Sequence, residues 1–229
     1  MITNLSSYLD FANHHLDATE DDIRFLVEKV KEYHFNSAFV NQTYVHFAKG
    51  LMGTNGKIGS IVAFPMGEEL LDSKLKEAED TARAGADELD TSLNITYIKT
   101  AKWGLLLDEM KRIVSLIKSI DPAKIVKFIP ETGYLTGDEI KKTAEVMVSS
   151  GADFFKTCSG LGPRGATLED VKLVREAVGN QIKVKVAGGI STYDQAVSFI
   201  ETGADRIGTS KAIEIITQST STHSPTSSE

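Results

Sequence analysis

Three lysines of this sequence lie in segments that read as buried strands. Lys127 is part of "KIVKFIPETG", Lys156 of "FFKTCSG" and Lys185 of "IKVKVAGG". Removing an ammonium group from water is costly unless its charge is paired or lost, so lysine is seldom fully buried. A lysine amine without its proton is also a nucleophile that attacks carbonyl carbons and forms Schiff bases. The three positions therefore suggest lysines that are kept for their chemistry.

Carboxylates occupy one face of another predicted strand, "ELDTSLN". Side chains alternate across a strand, so Glu88 and Asp90 lie on the face opposite Leu89. If helices cover the apolar face, the carboxylates point inward, where they meet the lysines. The simpler alternative is that each lysine is an ordinary ion-pair partner of Asp10, Asp90 or Glu131. The convergence of three lysines with several carboxylates favours a reactive site over that alternative.

Ammonium groups held close together change one another's acidity. Repulsion and partial burial both lower the pKa of a lysine. A shift from about 10.4 to about 7.5 corresponds to roughly 4 kcal/mol against the charged form. Lys183 shares a face with Lys185 but lies two residues nearer the start of the strand. We therefore expect Lys183 to extend into solvent at the other end of the strand.

Short apolar runs alternate with amphipathic helices along the chain. Three predicted helices begin with a capping-box pattern: Thr19 with Asp22, Thr136 with Glu139, and Thr167 with Asp170. With "SSYLDFA" as the first strand, the pattern predicts eight parallel strands and a single (β/α)8 TIM barrel over residues 1–216. A doubly wound open sheet is the alternative. The Ser/Thr-rich tail, residues 217–229, is predicted to be disordered.

The barrel prediction places a candidate phosphate site beside the lysines. Barrel enzymes carry their catalytic groups at the carboxyl ends of the strands and often bind phosphate after strands seven and eight. "VAGGI" and "GTSKA" occupy those two places, and "SGLGPRGAT" follows strand six. The candidate phosphate-binding residues are Ser159, Gly160, Gly188, Gly189, Gly208 and Ser210.

Composition restricts the classes of partner. The chain has 229 residues, a formal net charge of −7 and one cysteine, Cys158. Without a basic cluster, nucleic acid is an unexpected partner. No apolar run approaches the roughly 20 residues of a membrane helix, and the first residues lack the pattern of a signal peptide. A single cysteine allows no intrachain disulfide, which favours the cytoplasm.

From "YLDFANHHLDAT" to "RIGTS" the sequence resembles the deoxyribose-phosphate aldolases, class I aldolases of the DeoC type. The motifs that carry the resemblance are "GADELD", "KFIPETG", "FFKTCSGLGPRGAT", "VKVAGGI" and "IGTS", in the order and spacing of that family. The resemblance implies reversible cleavage of 2-deoxy-D-ribose 5-phosphate into acetaldehyde and D-glyceraldehyde 3-phosphate, within carbohydrate catabolism. It also implies a homodimer that needs neither a metal nor an organic cofactor.

The resemblance further implies a role for each candidate residue. Lys156 is similar to the lysine that forms the Schiff base, and Lys185 to the neighbouring ammonium that lowers its pKa. Asp90 is similar to the carboxylate that relays protons through water. Asp10 and Lys127 match charged positions that complete the site. The glycines and serines named above match the phosphate-binding loops.

Four features depart from the family pattern. After Asp10 the family usually has His-Thr-Leu-Leu, whereas this chain has "FANH". Phe39 stands where a cysteine is frequent, Lys211 stands where a small residue is common after Ser210, and no tyrosine follows near the end. We expect Phe39 to remove one route of inactivation, the trapping of aldehyde products by a thiol.

Four other functions are compatible with parts of this sequence. A related lysine-dependent aldolase could use a different phosphorylated aldehyde. A sugar-phosphate isomerase could use Asp90 and Cys158 as acid and base, and a non-catalytic barrel could bind a phosphorylated ligand. A metal-dependent enzyme could use His14 and His15, but adjacent histidines on extended chain are expected to point in opposite directions. Fold alone does not separate these functions.

Overall fold

The computed structural model of the chain describes residue 2 and residues 4–221. Within them, eight parallel strands pair in chain order and close into one barrel, so the predicted TIM barrel is confirmed and the open sheet is wrong. The strands are β1 Leu9–Asn13, β2 Ser37–Val40, β3 Lys57–Val62, β4 Glu88–Ser92, β5 Ile125–Ile129, β6 Phe154–Lys156, β7 Lys183–Ala187 and β8 Arg206–Thr209.

Helices surround the barrel and connect the strands. They are α1 Glu20–Tyr33, α2 Val45–Met52, α3 Leu71–Arg83, α4 Ile95–Lys99, α5 Trp103–Ile120, α6 Gly137–Ser150, α7 Leu168–Val178, α8 Tyr193–Thr202 and α9 Ala212–Ser221. The three predicted capping boxes form at the starts of α1, α6 and α7. A fourth, between Thr192 and Gln195, starts α8. Reciprocal hydrogen bonds of this kind satisfy amide groups that have no partner inside the helix.

Two boundaries differ from the prediction. Leu5–Tyr8 forms a 3-10 helix, and β1 begins only at Leu9. The Ser7 hydroxyl donates to the carbonyl of Asn4, a local bond that competes with strand pairing. At the other end α9 continues to Ser221, five residues past the predicted end of the barrel domain. Its first turn is anchored because Ala212 and Ile215 are buried in the core. The rest of the predicted disordered tail lies outside the described residues.

The two faces of the strands have opposite character. Most outward-facing side chains are apolar and pack under the helices. Several large ones are fully buried: Leu89, Val126, Phe128, Phe155, Val184, Val186 and Ile207. The inward face carries the charged residues predicted from alternation. Lys183, at the start of β7, is exposed as expected. Among the helices described, none is long and apolar enough to cross a membrane.

Candidate active site

The carboxylate of Asp90 joins the three candidate lysines inside the barrel. Its Oδ2 lies 2.8 Å from Nζ of Lys185 and 2.9 Å from Nζ of Lys156. Its Oδ1 accepts a hydrogen bond of 3.0 Å from Nζ of Lys127. Burial alone would raise the pKa of Asp90, but the three ammonium charges hold it well below its ordinary value. Asp90 is therefore a carboxylate anion at neutral pH.

Two further carboxylates complete the pairing of the deeper lysines. Lys127 Nζ donates to Glu88 Oε2 at 2.5 Å, and Lys185 Nζ lies 2.7 Å from Asp10 Oδ2. Burial opposes the charge of Lys127, yet Asp90 and Glu88 raise its pKa above the ordinary value. For Lys185 burial prevails over Asp10 and Asp90, and its pKa is lowered. Lys127 is thus a fixed cation, whereas Lys185 loses its proton more readily.

Arg206 is a fourth cation on the inner face, and sequence reasoning missed it. Its guanidinium donates to Asp10 Oδ1 at 2.9 Å and lies 3.6 Å from Glu88 Oε1. We call the buried set the interior charge network: Asp10, Glu88, Asp90, Lys127, Lys156, Lys185 and Arg206. Four cations in this network face three carboxylates. Arg206 precedes Gly208 by two positions on β8, so alternation could have placed it inside.

A cavity of about 400 Å³ opens above the network at the carboxyl ends of the strands. Lys156 and Lys185 line it, whereas Lys127, Asp10 and Asp90 lie below it. Lys156 is the last residue of β6, but Lys127 and Lys185 are each the third residue of a five-residue strand. Lys127 and Lys185 thus lie in the middle of their strands, and only Lys156 of the three lysines lies at a strand end.

All six candidate phosphate-binding residues border the same cavity: Ser159, Gly160, Gly188, Gly189, Gly208 and Ser210. Gly188 and Gly189 have φ values of 86° and 77°, which favour glycine. A Cβ on Gly188 would lie 3.0 Å from Cα of Gly165 and 3.1 Å from Sγ of Cys158, so a side chain would be crowded there. Helix α9 begins two residues after Ser210 and adds the positive end of its dipole.

Comparison with known proteins agrees with this geometry. The family model described as DeoC/LacD family aldolase matches residues 7–212. The chain belongs to this aldolase family. It is 43% identical to the deoxyribose-phosphate aldolase of Aciduliprofundum boonei, over 93% of this chain and 95% of that one. It is 38% identical to the deoxyribose-phosphate aldolase of Lactobacillus acidophilus, over 93% and 90%.

Solved structures show the same likeness in three dimensions. The structure described as "QR15, an Aldolase" superposes with a TM-score of 0.90 at 37% identity, covering 97% of this chain and 98% of that one. The tetrameric deoxyribose phosphate aldolase of Aeropyrum pernix superposes with a TM-score of 0.87 at 30% identity, covering 95% and 92%. The cavity described above therefore lies in an established aldolase fold.

The cavity wall of this aldolase includes aromatic residues that were not predicted as site residues. His14, His15, Phe39 and Phe64 all border it. Both histidines follow the end of β1 at Asn13, and His14 is half-buried whereas His15 is exposed. Burial, helped by the charge of Lys156, lowers the pKa of His14 to about 3, so this imidazole is neutral.

Two other side chains named from the sequence have structural contacts. Cys158 Sγ donates to the carbonyl of Ala187 at 2.8 Å and is fully buried, and burial raises its pKa. Glu131 accepts a hydrogen bond of 3.0 Å from the amide of Ser159. Glu131 thereby orients the loop after β6, in place of the lysine ion pair considered as an alternative.

Proposed function

We propose that this aldolase reversibly cleaves 2-deoxy-D-ribose 5-phosphate into acetaldehyde and D-glyceraldehyde 3-phosphate, through a Schiff base on Lys156. Support for the substrate comes from the relatives, which carry the name deoxyribose-phosphate aldolase. Support for the chemistry comes from Lys156, which borders the same cavity as the glycine and serine residues of the candidate phosphate site. A Schiff-base aldolase uses the amine as its electron sink, without a metal or an organic cofactor.

The position of Lys156 relative to the other lysines carries this proposal. Lys127 and Lys185 each contact two carboxylates. Within the described residues Lys156 pairs with one carboxylate oxygen, Oδ2 of Asp90, and it shares this oxygen with Lys185. Lys156 borders the cavity and is the most exposed of the three, at 4% against 0% and 1%. Its amine is therefore the least strongly held and the most accessible to a carbonyl carbon.

The cleavage reaction then follows with a balanced set of bonds. The amine of Lys156 adds to C1 of the open-chain sugar, and loss of water gives an iminium ion. The C3 hydroxyl then gives up its proton and the C2–C3 bond breaks, so that C3 becomes the aldehyde carbon of D-glyceraldehyde 3-phosphate, which leaves. The electron pair of the broken C2–C3 bond moves into the iminium ion and gives an enamine on Lys156. Protonation at C2 and hydrolysis release acetaldehyde and the free amine. Asp90, held between Lys156 and Lys185, is placed to accept and return protons through water.

We assign recognition of the phosphate to the loops after β7 and β8. Gly188, Gly189 and Ser210 border the cavity, and α9 starts two residues after Ser210. Backbone amides and helix starts favour anions. Lys211 also borders the cavity, and its ammonium pairs with Glu214 at 2.9 Å on the surface. We expect this local site to bind a phosphate although the net charge of the protein is negative.

Reductive trapping tests the proposal. The protein is incubated with acetaldehyde, reduced with borohydride and digested, and the ethyl adduct is located by peptide mass. We expect the adduct on Lys156, its loss in Lys156→Ala, and its retention in the matched variant Lys183→Ala, whose lysine is exposed at the start of β7. Absence of any adduct in the unaltered protein would overturn the Schiff-base mechanism, and an adduct on Lys185 would reverse the two lysine roles.

The alternative enzymes have less support. The isomerase would need Cys158 at the substrate, yet its thiol is turned to the Ala187 carbonyl and does not border the cavity. Across the described part of the chain, no three His, Cys, Asp or Glu side chains are grouped as a metal site would require. We further propose a homodimer in the cytoplasm, with light scattering in solution as the test of the oligomeric state.

A further inference from the structure

Phe39 of β2 lies directly against the ammonium of Lys185. The centre of its ring is 3.6 Å from Lys185 Nζ and 4.8 Å from Lys127 Nζ. Phe39 is 1% exposed, so water does not separate the ring from these charges. The face of an aromatic ring is electronegative and attracts a cation within about 6 Å of its centre. Lys185 therefore has three stabilising neighbours, namely the carboxylates of Asp10 and Asp90 and this ring.

The neighbouring strand provides the space for the ring. Gly59 of β3 is the register partner of Phe39. A Cβ placed on Gly59 would lie 2.3 Å from two carbon atoms of the Phe39 ring, which is much closer than any real contact. The ring thus lies across the backbone of β3 where only a glycine leaves room. The pair Phe39 and Gly59 fixes the plane of the ring as well as its position.

We propose that Phe39 is a positioning residue that holds the Lys185 ammonium between Asp10 and Asp90, with Gly59 giving its ring the necessary room. The proposal rests on the proposed function, in which the Lys185 charge lies beside the Schiff-base lysine. Lys185 and Lys156 share Oδ2 of Asp90. A displaced Lys185 would release that oxygen and change both the charge next to Lys156 and the orientation of the proton-relaying carboxylate.

The contribution of the ring must be separated from the other groups around Lys185. Charged or titratable groups face it from five strands and from the loop after β1: Asp10, Asp90, Lys127, Lys156, Arg206 and His14. Removal of the negative ring face makes the charged form of Lys185 less stable. We therefore expect the pKa of Lys185 to fall when the ring face is removed. The alkaline limb of the pH profile of kcat/KM should then move to lower pH.

A series of fluorinated phenylalanines at position 39 tests the electrostatic part directly. Added fluorines weaken the negative ring face while the shape of the ring is nearly unchanged. We expect the alkaline limb to move down stepwise from phenylalanine to the monofluoro, difluoro and trifluoro derivatives, by about one pH unit in total. A limb that stays in place across the series would overturn the proposal, because a purely structural ring would not respond to fluorination.

The role of Gly59 is tested by a double-mutant cycle with Phe39→Leu. Gly59→Ala pushes the ring aside, so we expect it to shift the alkaline limb in the same direction as Phe39→Leu. In the Phe39→Leu background the added methyl group meets no ring, and its further effect should be small. Equal effects of Gly59→Ala in both backgrounds would show that the glycine acts independently of Phe39 and would contradict this part of the proposal.

A matched control distinguishes the loss of the Phe39 ring from the loss of any buried phenylalanine ring. Phe199→Leu removes a buried phenylalanine from α8, outside the barrel. It should lower stability but leave the alkaline limb where it is; a limb shift as large as that of Phe39→Leu would contradict the proposal. Borohydride trapping on Lys156 is measured in parallel. Absence of an adduct in the unaltered protein rejects the proposed function, whereas a normal adduct with a flat fluorination series rejects only the role of Phe39.

Discussion

Two sets of buried lysine–carboxylate contacts in this molecule differ in how many partners each charge has. Between α3 and α5, Lys74 Nζ contacts Glu109 Oε1 at 2.9 Å and the Ser92 carbonyl at 3.3 Å. Each of these two charges has its own partner, and both residues are buried. In the interior charge network, by contrast, four cations share three carboxylates, and the network ends at a cavity.

The difference shows why burial of a lysine does not by itself indicate catalysis. A closed one-to-one pair satisfies its charges and links elements of the fold, here α3 to α5, and Lys74 also links α3 to the end of β4. A shared carboxylate with an amine at a cavity leaves one cation weakly held and accessible. Perturbed groups occur in structural ion pairs as well as in active sites. Access and an excess of cations are the features that distinguish the two sets.

Removal of Lys156 gives the largest expected effect and tests the catalytic role of the interior charge network. Lys156→Ala removes the proposed nucleophile, so we expect kcat to fall on the order of 10⁴-fold. Stability should change little, because the variant leaves three cations facing three carboxylates. Steady-state kinetics and urea unfolding measure the two quantities. A variant that keeps its activity, or that unfolds, would place Lys156 with the structural lysines.

Removal of Lys74 is the matched experiment on the structural pair of Lys74 and Glu109. Lys74→Met leaves Glu109 buried without its cation, and we expect a loss of about 3–5 kcal/mol in the free energy of unfolding. The double variant Lys74→Met/Glu109→Leu should recover much of this loss, since no unpaired charge remains. Urea titration provides both values. The fraction of each variant that stays folded should keep the kcat of the unaltered protein. A loss of kcat in folded variant protein would contradict a purely structural role for this pair.

The two sets should also respond in opposite directions to pH. Burial raises the pKa of Glu109 above 4.5, so as pH falls the folded state binds this proton before the unfolded state does. Glu109 therefore adds stability as pH falls towards 4.5. The pKa of Asp90 is lowered, so its contribution is present above pH 3.8 and is lost below that value. Urea midpoints across this range measure the slopes. We expect Glu109→Gln to flatten the dependence of stability on pH above 4.5 and to leave the dependence below pH 3.8 unchanged.

Local patterns were sufficient to predict the barrel and most of its inner charges. Capping boxes and alternation act over a few residues, so they can be read directly, and they placed Asp90 and the three lysines on the inner face. The contact between Arg206 and Asp10 joins residues 196 positions apart. This contact forms because β8 pairs with β1 when the barrel closes, so no local sequence pattern predicts it. The same applies to the Phe39 ring on Lys185, which depends on a glycine in the neighbouring strand.

The smallest expected effect concerns tolerance of aldehydes, for which position 39 of the cavity wall carries a phenylalanine ring. Cys158, the single cysteine, is buried against the Ala187 carbonyl, and burial raises its pKa, which disfavours the reactive thiolate. We expect the enzyme to keep most of its activity after long incubation in concentrated acetaldehyde. Phe39→Cys places a thiol on the cavity wall and should lose activity under the same conditions. Peptide mass should then find the modified cysteine at position 39. Activity lost in the unaltered protein, with Cys158 modified, would show that burial does not protect this thiol.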